Sequence, residues 1–307
     1  MPFIRVTQGI VMSQILSDLN RQTRRLLDLE RQLSTGQRVN TPSDDPLAAR
    51  RAIAAQSEIT ANEQFIASMT SARPLLADTE FALRTTLDYI QRANELTLQG
   101  LNSTNTQEQR DQIANEVNQL IEGVLQQANS FSSGRYLFGG TRTLSEPFEA
   151  TRDANGEITA VTYAGNDEDI EIEISEGIRM PINITGLDAF APGSPSSVDI
   201  LQALVQIRDN LRAGDSGALE TRLGELEQAQ NQVLVTVSRV GAVQRRLEDV
   251  NANLDEINVQ LRGVISDNID ADLAEVLVNL NSQTNAYQAA LNAAGRIIQP
   301  SLLDFLG

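Results

Sequence analysis

The longest periodic signal in the chain runs from Leu219 to Ile265, in alternating steps of four and three residues. One row of that ladder is wholly apolar: Leu219, Leu226, Val233, Val240, Leu247, Leu254 and Leu261. The interleaved row mixes Leu223, Val237 and Ile265 with Gln230, Gln244, Asn251 and Asn258. A period of about 3.5 residues held this long describes a helix packing against other helices as a coiled coil does. At a rise of about 1.5 Å per residue the helix is about 70 Å long, too tall for one compact core. The ladder therefore predicts a rod with helical partners alongside. The four amides either fix register within the seam, at a cost in stability, or lie exposed where the bundle stays open. The second alternative is the one favoured here.

Taken in order, the chain opens with a second heptad stripe: Met12, Ile15, Leu19, Gln22, Leu26, Leu29 and Leu33. The segment LSTGQRVNTPSDDP, residues 33–46, then stops one helix and starts another. Gly36 suits the left-handed position past a helix end, and Pro42 bars continuation. Asp45 is a good N-cap, with Pro46 in the first helical position. From Leu47 to Leu101 the pattern is helical and rich in Ala, with Ile53, Ile66, Met69, Leu76, Leu83, Leu87 and Ile90 as apolar positions. Pro74 is expected to kink or split it. A third helix places Ile113, Val117, Leu120, Val124 and Phe131 on one stripe, before SSGRYLFGGT, residues 132–141, breaks helicity.

The period then changes. Strand-like runs flank Asn155-Gly156, the strongest short hairpin signal available. Ile170, Ile172 and Ile174 alternate with Glu171 and Glu173, and Ile178, Met180, Ile182 and Ile184 repeat the alternation. Pro181 places that last strand at an edge or a bulge. Residues 146–188 read as a small acidic β module, an insertion that a short Gly/Ser linker should be able to replace. After the linker 191–197 come a short helix (Ile200, Leu204, Ile207, Leu211), the long ladder, and the turn formers of 266–272. Asp272 with Glu275 resembles a capping box. The last helix carries Leu273, Leu277, Leu280, Thr284, Tyr287, Leu291, Ala294 and Ile298.

These elements predict a mainly α protein: an elongated antiparallel helical bundle with paired N- and C-terminal coiled-coil helices and a small inserted β domain. The expected division is 1–46 with 268–307 as a terminal coiled-coil assembly segment, 47–145 with 189–267 as the helical rod, and 146–188 as the β domain. Each terminal helix has one narrow stripe, and such a helix gains little stability without partners. The candidate assembly interface is therefore Ile15, Leu19, Leu26, Leu29 and Leu33 at one end, and Leu273, Leu277, Leu280, Tyr287, Leu291 and Ile298 at the other.

Composition removes most chemistry. The chain has 307 residues without Cys, His or Trp, and its cations are all Arg. Thiolate and imidazole metal sites, disulfides and the common activated nucleophiles are thereby excluded. The acidic clusters near Asp153 and Asn166 do not match a calcium loop, and solvated strand edges and turns explain them. No cofactor or metal is expected, and no enzyme. A net charge of −17 argues against a nucleic-acid partner. No run is apolar enough to span a membrane, and the N-terminus lacks a cleavable signal pattern. Residues 1–51 are net positive, with eight Arg against five acids, which reads as a solvated helix face.

Three stretches carry a family likeness. LSTGQRVNTPSDDP behind the N-terminal heptad helix, QRANELTLQGLNST at 91–104 and NAYQAALNAAGRIIQPSLLDFL at the C-terminal end resemble bacterial flagellins and their relatives. Within that superfamily, Pro46 after Asp44-Asp45, GRYLFGGT at 134–141 and the ending SLLDFL are similar to the hook-associated branch at the hook–filament junction. That resemblance implies a ring of a few identical subunits adapting hook to filament and supporting flagellin polymerisation. It implies secretion by the flagellar type III route to the extracellular flagellum. The implied partners are flagellin, the other hook-associated junction protein and a cytoplasmic export chaperone. Flagellin itself, a bulk filament subunit, is the alternative.

Overall fold

The computed structural model describes residues 8–190 and 197–298. Helices dominate: α1 (Gln8–Thr35), α2 (Pro46–Gly100), α3 (Gln107–Ala128), α4 (Gly186–Ala189), α5 (Ile200–Ala213), α6 (Ser216–Ile269) and α7 (Leu273–Ile298). Between α3 and α4 lie three antiparallel strand pairs. They are β1 (Phe131–Ser132) with β2 (Arg135–Tyr136), β3 (Phe148–Arg152) with β4 (Ile158–Tyr163), and β5 (Glu171–Ser175) with β6 (Ile178–Pro181). The protein is thus mainly α with a small β insert. Its chain forms two compact units, residues 62–255 and a terminal unit of 1–61 with 256–307.

The ladder is one helix, α6. Its apolar row is buried at Leu219, Leu226, Val233, Val240, Leu247 and Leu254, and half-buried at Leu261. Burying one such side chain contributes about 1.5–3 kcal/mol, so this row is a major stabiliser. The amides depart from the expected exposure. Asn258 is buried, while Gln230, Gln244 and Asn251 are half-buried, because they stand on the flank of a stripe wider than one row.

A second long stripe, weak in the sequence, runs along α2. Ala48, Ala52, Ala55, Ile59, Asn62, Met69, Leu76, Thr79, Leu83, Thr86, Ile90, Ala93 and Thr97 are buried, again in heptad steps. Ala and Thr hide this pattern from a hydropathy reading. The hydroxyls of Thr79, Thr86 and Thr97 donate to the carbonyls of Leu75, Ala82 and Ala93, at 2.7, 2.8 and 2.7 Å, leaving their methyl groups to pack. Ile53, expected among the apolar positions, is instead 63% exposed. Pro74 does not split α2; it lies within the helix on its exposed face.

In the unit 62–255, α3 packs against α5. The α3 stripe is Ile113, Ala114, Val117, Ile121, Val124, Leu125 and Ala128, with Leu120 only half-buried. Phe131 leaves the stripe because α3 ends at Ala128, and its ring meets that of Tyr136 edge-on across β1–β2, centroids 5.1 Å apart. Thr106 and Gln109 start α3 with a reciprocal capping box.

The Asn155-Gly156 hairpin forms as read, with Phe148 opposite Tyr163 and Gly156 at φ +84°. The hairpin also packs against the helices. Ile158 is fully buried, and β4 packs on α5. Phe138, Phe148, Tyr163 and Phe190 form an aromatic cluster with ring centroids 5.0–5.4 Å apart. Gly186 passes directly under it, where a Cβ would come within 2.5 Å of Tyr163 and 2.7 Å of Phe148. Six of the twelve aromatics lie in or beside the β region, while Tyr89 of α2 packs against Gly123 of α3.

Candidate functional site

The terminal unit holds the candidate site, and its geometry begins at the two turns. Gly36, at φ +70°, ends α1 in the left-handed conformation, its N–H donating to Gln32 O at 2.9 Å. The N–H groups of Arg38 and Val39 donate to Ile269 O at 2.7 and 3.2 Å, and Ala271 N–H donates to Gly36 O at 2.9 Å. Gln37 and Asp270 are paired as an antiparallel bridge. Arg38 adds a side-chain bond to Asn268 O at 2.7 Å and lies 3.4 Å from Asp45. Val39, Ala48 and Ala49 form a small buried cluster, with Ile269 against it. The two turns, distant in sequence, are one structure. The sequence marked both as stop-and-start signals but gave no sign that they pair, because backbone-to-backbone bonds leave no residue signature.

Two carboxylates organise the first turn. Asp44 accepts from the N–H groups of Asn40 and Thr41 at 3.1 and 2.9 Å. Asp45 caps α2, accepting from Leu47 and Ala48 N–H, both at 3.1 Å. The bonds from Thr41 to Asp44 and from Ala48 to Asp45 hold both carboxyls below the usual carboxylate range. Asp272 caps α7 in the same way, accepting from Ala274 and Glu275 N–H at 2.9 and 3.2 Å.

From this joint α1 and α7 run as a packed pair. The Gln37–Asp270 bridge at their base makes them antiparallel. Ile15, Leu19, Leu26, Leu29 and Leu33 are all half-buried, and from residue 12 to 35 α1 has no fully buried side chain. On α7 the expected row divides. Leu280 and Tyr287 are half-buried, in line with buried Val276 and Ala294. Leu273, Leu277 and Leu291 are 46%, 45% and 45% exposed, off that line. Only the backbone of Ile298 is described, so its side chain lies outside the described residues. Val276 was missed in the sequence because it falls between two positions of the leucine row.

The site therefore has a joint, a two-helix layer and no closed core. Among the described residues, the buried apolar side chains of the terminal unit are Val39, Ile59, Val276 and a set of alanines. Its exposed ones include Ile10, Leu16, Leu27, Leu47, Ile53, Val259, Val264, Leu273, Leu277, Val278 and Leu291. The larger unit has the opposite balance.

Residues 6–143 match the bacterial flagellin N-terminal helical region, and residues 223–306 match the bacterial flagellin C-terminal helical region. Flagellar hook-associated protein 3 of Escherichia coli K12 is 25% identical over 85% of this chain and 87% of its own length. The protein of that name from Salmonella typhimurium is 27% identical over 61% of this chain, an alignment spanning 57% of that relative. Flagellins align at similar identity. The crystal structure of Bacillus cereus FlgL superposes with a TM-score of 0.58 at 26% identity, covering 69% of this chain and 99% of that one.

Proposed function

The chain belongs to the bacterial flagellin family, and on that footing we propose that it is the adaptor of the hook–filament junction. In this reading a few copies form a ring that joins hook to filament and supports flagellin polymerisation. Flagellin lies on one side and the other hook-associated junction protein on the other. A cytoplasmic chaperone accompanies the chain to the type III export route, which delivers it outside the cell. The role is structural, with no catalytic group. The likeness to the Bacillus cereus FlgL structure, over 99% of that chain at 26% identity, supports the junction over bulk filament.

The observation that carries the reading is the terminal unit, which leaves its large apolar side chains on the surface. Ile15, Leu19, Leu26, Leu29, Leu33, Leu280 and Tyr287 join the two terminal helices. Leu273, Leu277 and Leu291 face outward, to be buried in the assembled ring. The expected segment 1–46 with 268–307 is in this reading the assembly part, and the remainder is the scaffold that holds it.

Deletion of the gene tests this. The expected result is intact hooks, unpolymerised flagellin in the culture fluid and no swimming, all restored by the wild-type chain. Normal filaments in the deletion strain would refute the junction role. Loss of the filament's own mass, with no free flagellin, would identify the chain as bulk subunit.

A further inference from the structure

The loop between β3 and β4 places the chain's one Asn-Gly pair, Asn155-Gly156, in an exposed turn. That pair carries chemistry of its own. The Gly156 backbone nitrogen, once it gives up its proton, can attack the side-chain carbonyl carbon of Asn155. A bond forms between the Gly156 nitrogen and Cγ, the Cγ–Nδ2 bond breaks, and Nδ2 leaves as ammonia, taking up the proton that was given up. Water then opens the resulting succinimide ring. Opening at Cγ leaves aspartate at position 155, and opening at the backbone carbonyl leaves isoaspartate, with one added methylene in the main chain. Water is consumed, ammonia is released, and no oxidant or reductant takes part. Glycine favours the attack because it has no Cβ in the way. At Gly156 even an added Cβ would meet nothing within 4 Å, so the turn stands open to water. Asn129, which also precedes a small residue, is held instead. Its Oδ1 accepts from Phe148 N–H at 2.9 Å, and its Nδ2 donates to Phe148 O and Glu146 at 2.8 and 2.9 Å.

The folded turn withholds the nucleophile. Gly156 N–H donates to Asp153 O at 3.1 Å, with Gly156 at φ +84°. Asp153 N–H donates to Glu157 O at 2.9 Å, and the Asp153 carboxylate accepts from the N–H groups of Asn155 and Glu157, both at 2.9 Å. The Asn155 amide leans the same way, its Nδ2 lying 3.4 Å from that carboxylate. Arg152 fastens the turn from outside, donating to Gly156 O and to Glu122 of α3, each at 2.9 Å. With the backbone fixed on both sides, the Gly156 nitrogen reaches Cγ only if these bonds break. We infer that Asn155 is a deamidation site gated by the hairpin: the closed turn protects it, and the open turn lets it pass to isoaspartate. The change is one-way. An added methylene puts every following residue out of step with β3, and the next two residues are the ones that fasten β4. Glu157 is held by Arg212, and the Ile158 carbonyl accepts from Arg208 at 2.8 Å. A chain modified while open does not remake the β4 contact with α5. The site thus keeps a permanent record of hairpin opening.

The test incubates the purified full chain at mildly alkaline pH, folded and in guanidinium chloride. Released ammonia is measured, and the tryptic peptide 153–179 is mapped by mass spectrometry with electron-transfer fragmentation, which separates isoaspartate from aspartate. In denaturant, isoaspartate is expected to accumulate at position 155, and Asn155→Gln to abolish it. In the folded chain the same product should form at least about tenfold more slowly, because reaction waits on local opening. Asp153→Ala removes two of the bonds that hold the turn and should raise the folded rate towards that of the denatured chain. Returned from denaturant, chains carrying isoaspartate should melt below unmodified chains treated alike. Equal rates in the folded and denatured wild type overturn the gate, and absence of product at position 155 in denaturant overturns the site. Unchanged melting of the modified chain overturns its one-way consequence. If Asp153→Ala does not fold, the wild-type comparison decides. None of these outcomes bears on the junction role, which the deletion strain tests separately.

Discussion

Arg208 shows how one side chain can tie the β region to the helices. It is 3% exposed; its guanidinium donates to Ile158 O at 2.8 Å, to Asn118 at 2.9 Å and to Asp209. Beside it, Arg212 holds Glu157 through two bonds of 2.5 and 2.7 Å. The Arg212 hydrogen bonds lower the Glu157 pKa, overcoming the opposing effect of burial. With the folded pKa below the unfolded value of about 4.3, the stabilisation is complete above that pH. It is lost as pH falls through the folded pKa. Glu157→Gln is therefore expected to flatten the acid limb of the melting-temperature profile below about pH 4.5 and to lower stability at pH 7. An unchanged acid limb would remove Glu157 from the account. Arg208→Leu leaves a buried carbonyl and an amide unpaired and should cost about 1–3 kcal/mol in urea unfolding. None of this was legible in the sequence. An arginine in a short amphipathic helix reads as solvent-facing, and burial of its head follows only from the hairpin folding over it. Asn155-Gly156, by contrast, announced its turn, because the loop's own residues make it: Gly156 takes the positive φ, and Asp153 accepts from the N–H groups of Asn155 and Glu157.

At the scale of elements, legibility followed the size of the side chains. The α6 ladder was plain because leucine and valine carry it. The α2 stripe was faint because alanine and threonine do, and the Gln37–Asp270 joint was invisible because backbone makes it. The two heptad helices of different burial allow a direct contrast. Leu247→Asp puts a carboxylate at a fully buried point of α6 and should cost several kcal/mol, a large share of the ~5–15 kcal/mol that a domain has. Leu26→Asp puts the same group at a half-buried point of α1, where the pair can open locally without unfolding the rest. Its main melting transition should stay within about 0.5 kcal/mol of wild type, while swimming is lost. Thermal unfolding of both purified monomers checks this, and equal losses would put α1 in the folded core. The hairpin β3–β4 belongs with α6 in this contrast. Replacing 146–188 by a Gly/Ser linker exposes the faces of α3 and α5 that β4 covers, and should abolish cooperative unfolding of the unit 62–255.

For the whole molecule, the two compact units differ in what they leave undone. Residues 62–255 bury leucine, isoleucine, valine and phenylalanine and satisfy their buried arginine. The terminal unit buries mostly alanine and shows its leucines to solvent. In the reading proposed above, the larger unit is a finished scaffold and the terminal unit an interface that assembly completes. Amide hydrogen exchange, followed in the free monomer and in isolated flagella, tests that claim most directly. Exchange in α1 and α7 of the monomer should be fast, with protection far below that of the Val233–Leu254 stretch of α6, and assembly should raise it to the same level. Terminal helices as protected in the monomer as α6, or unprotected after assembly, would contradict the account.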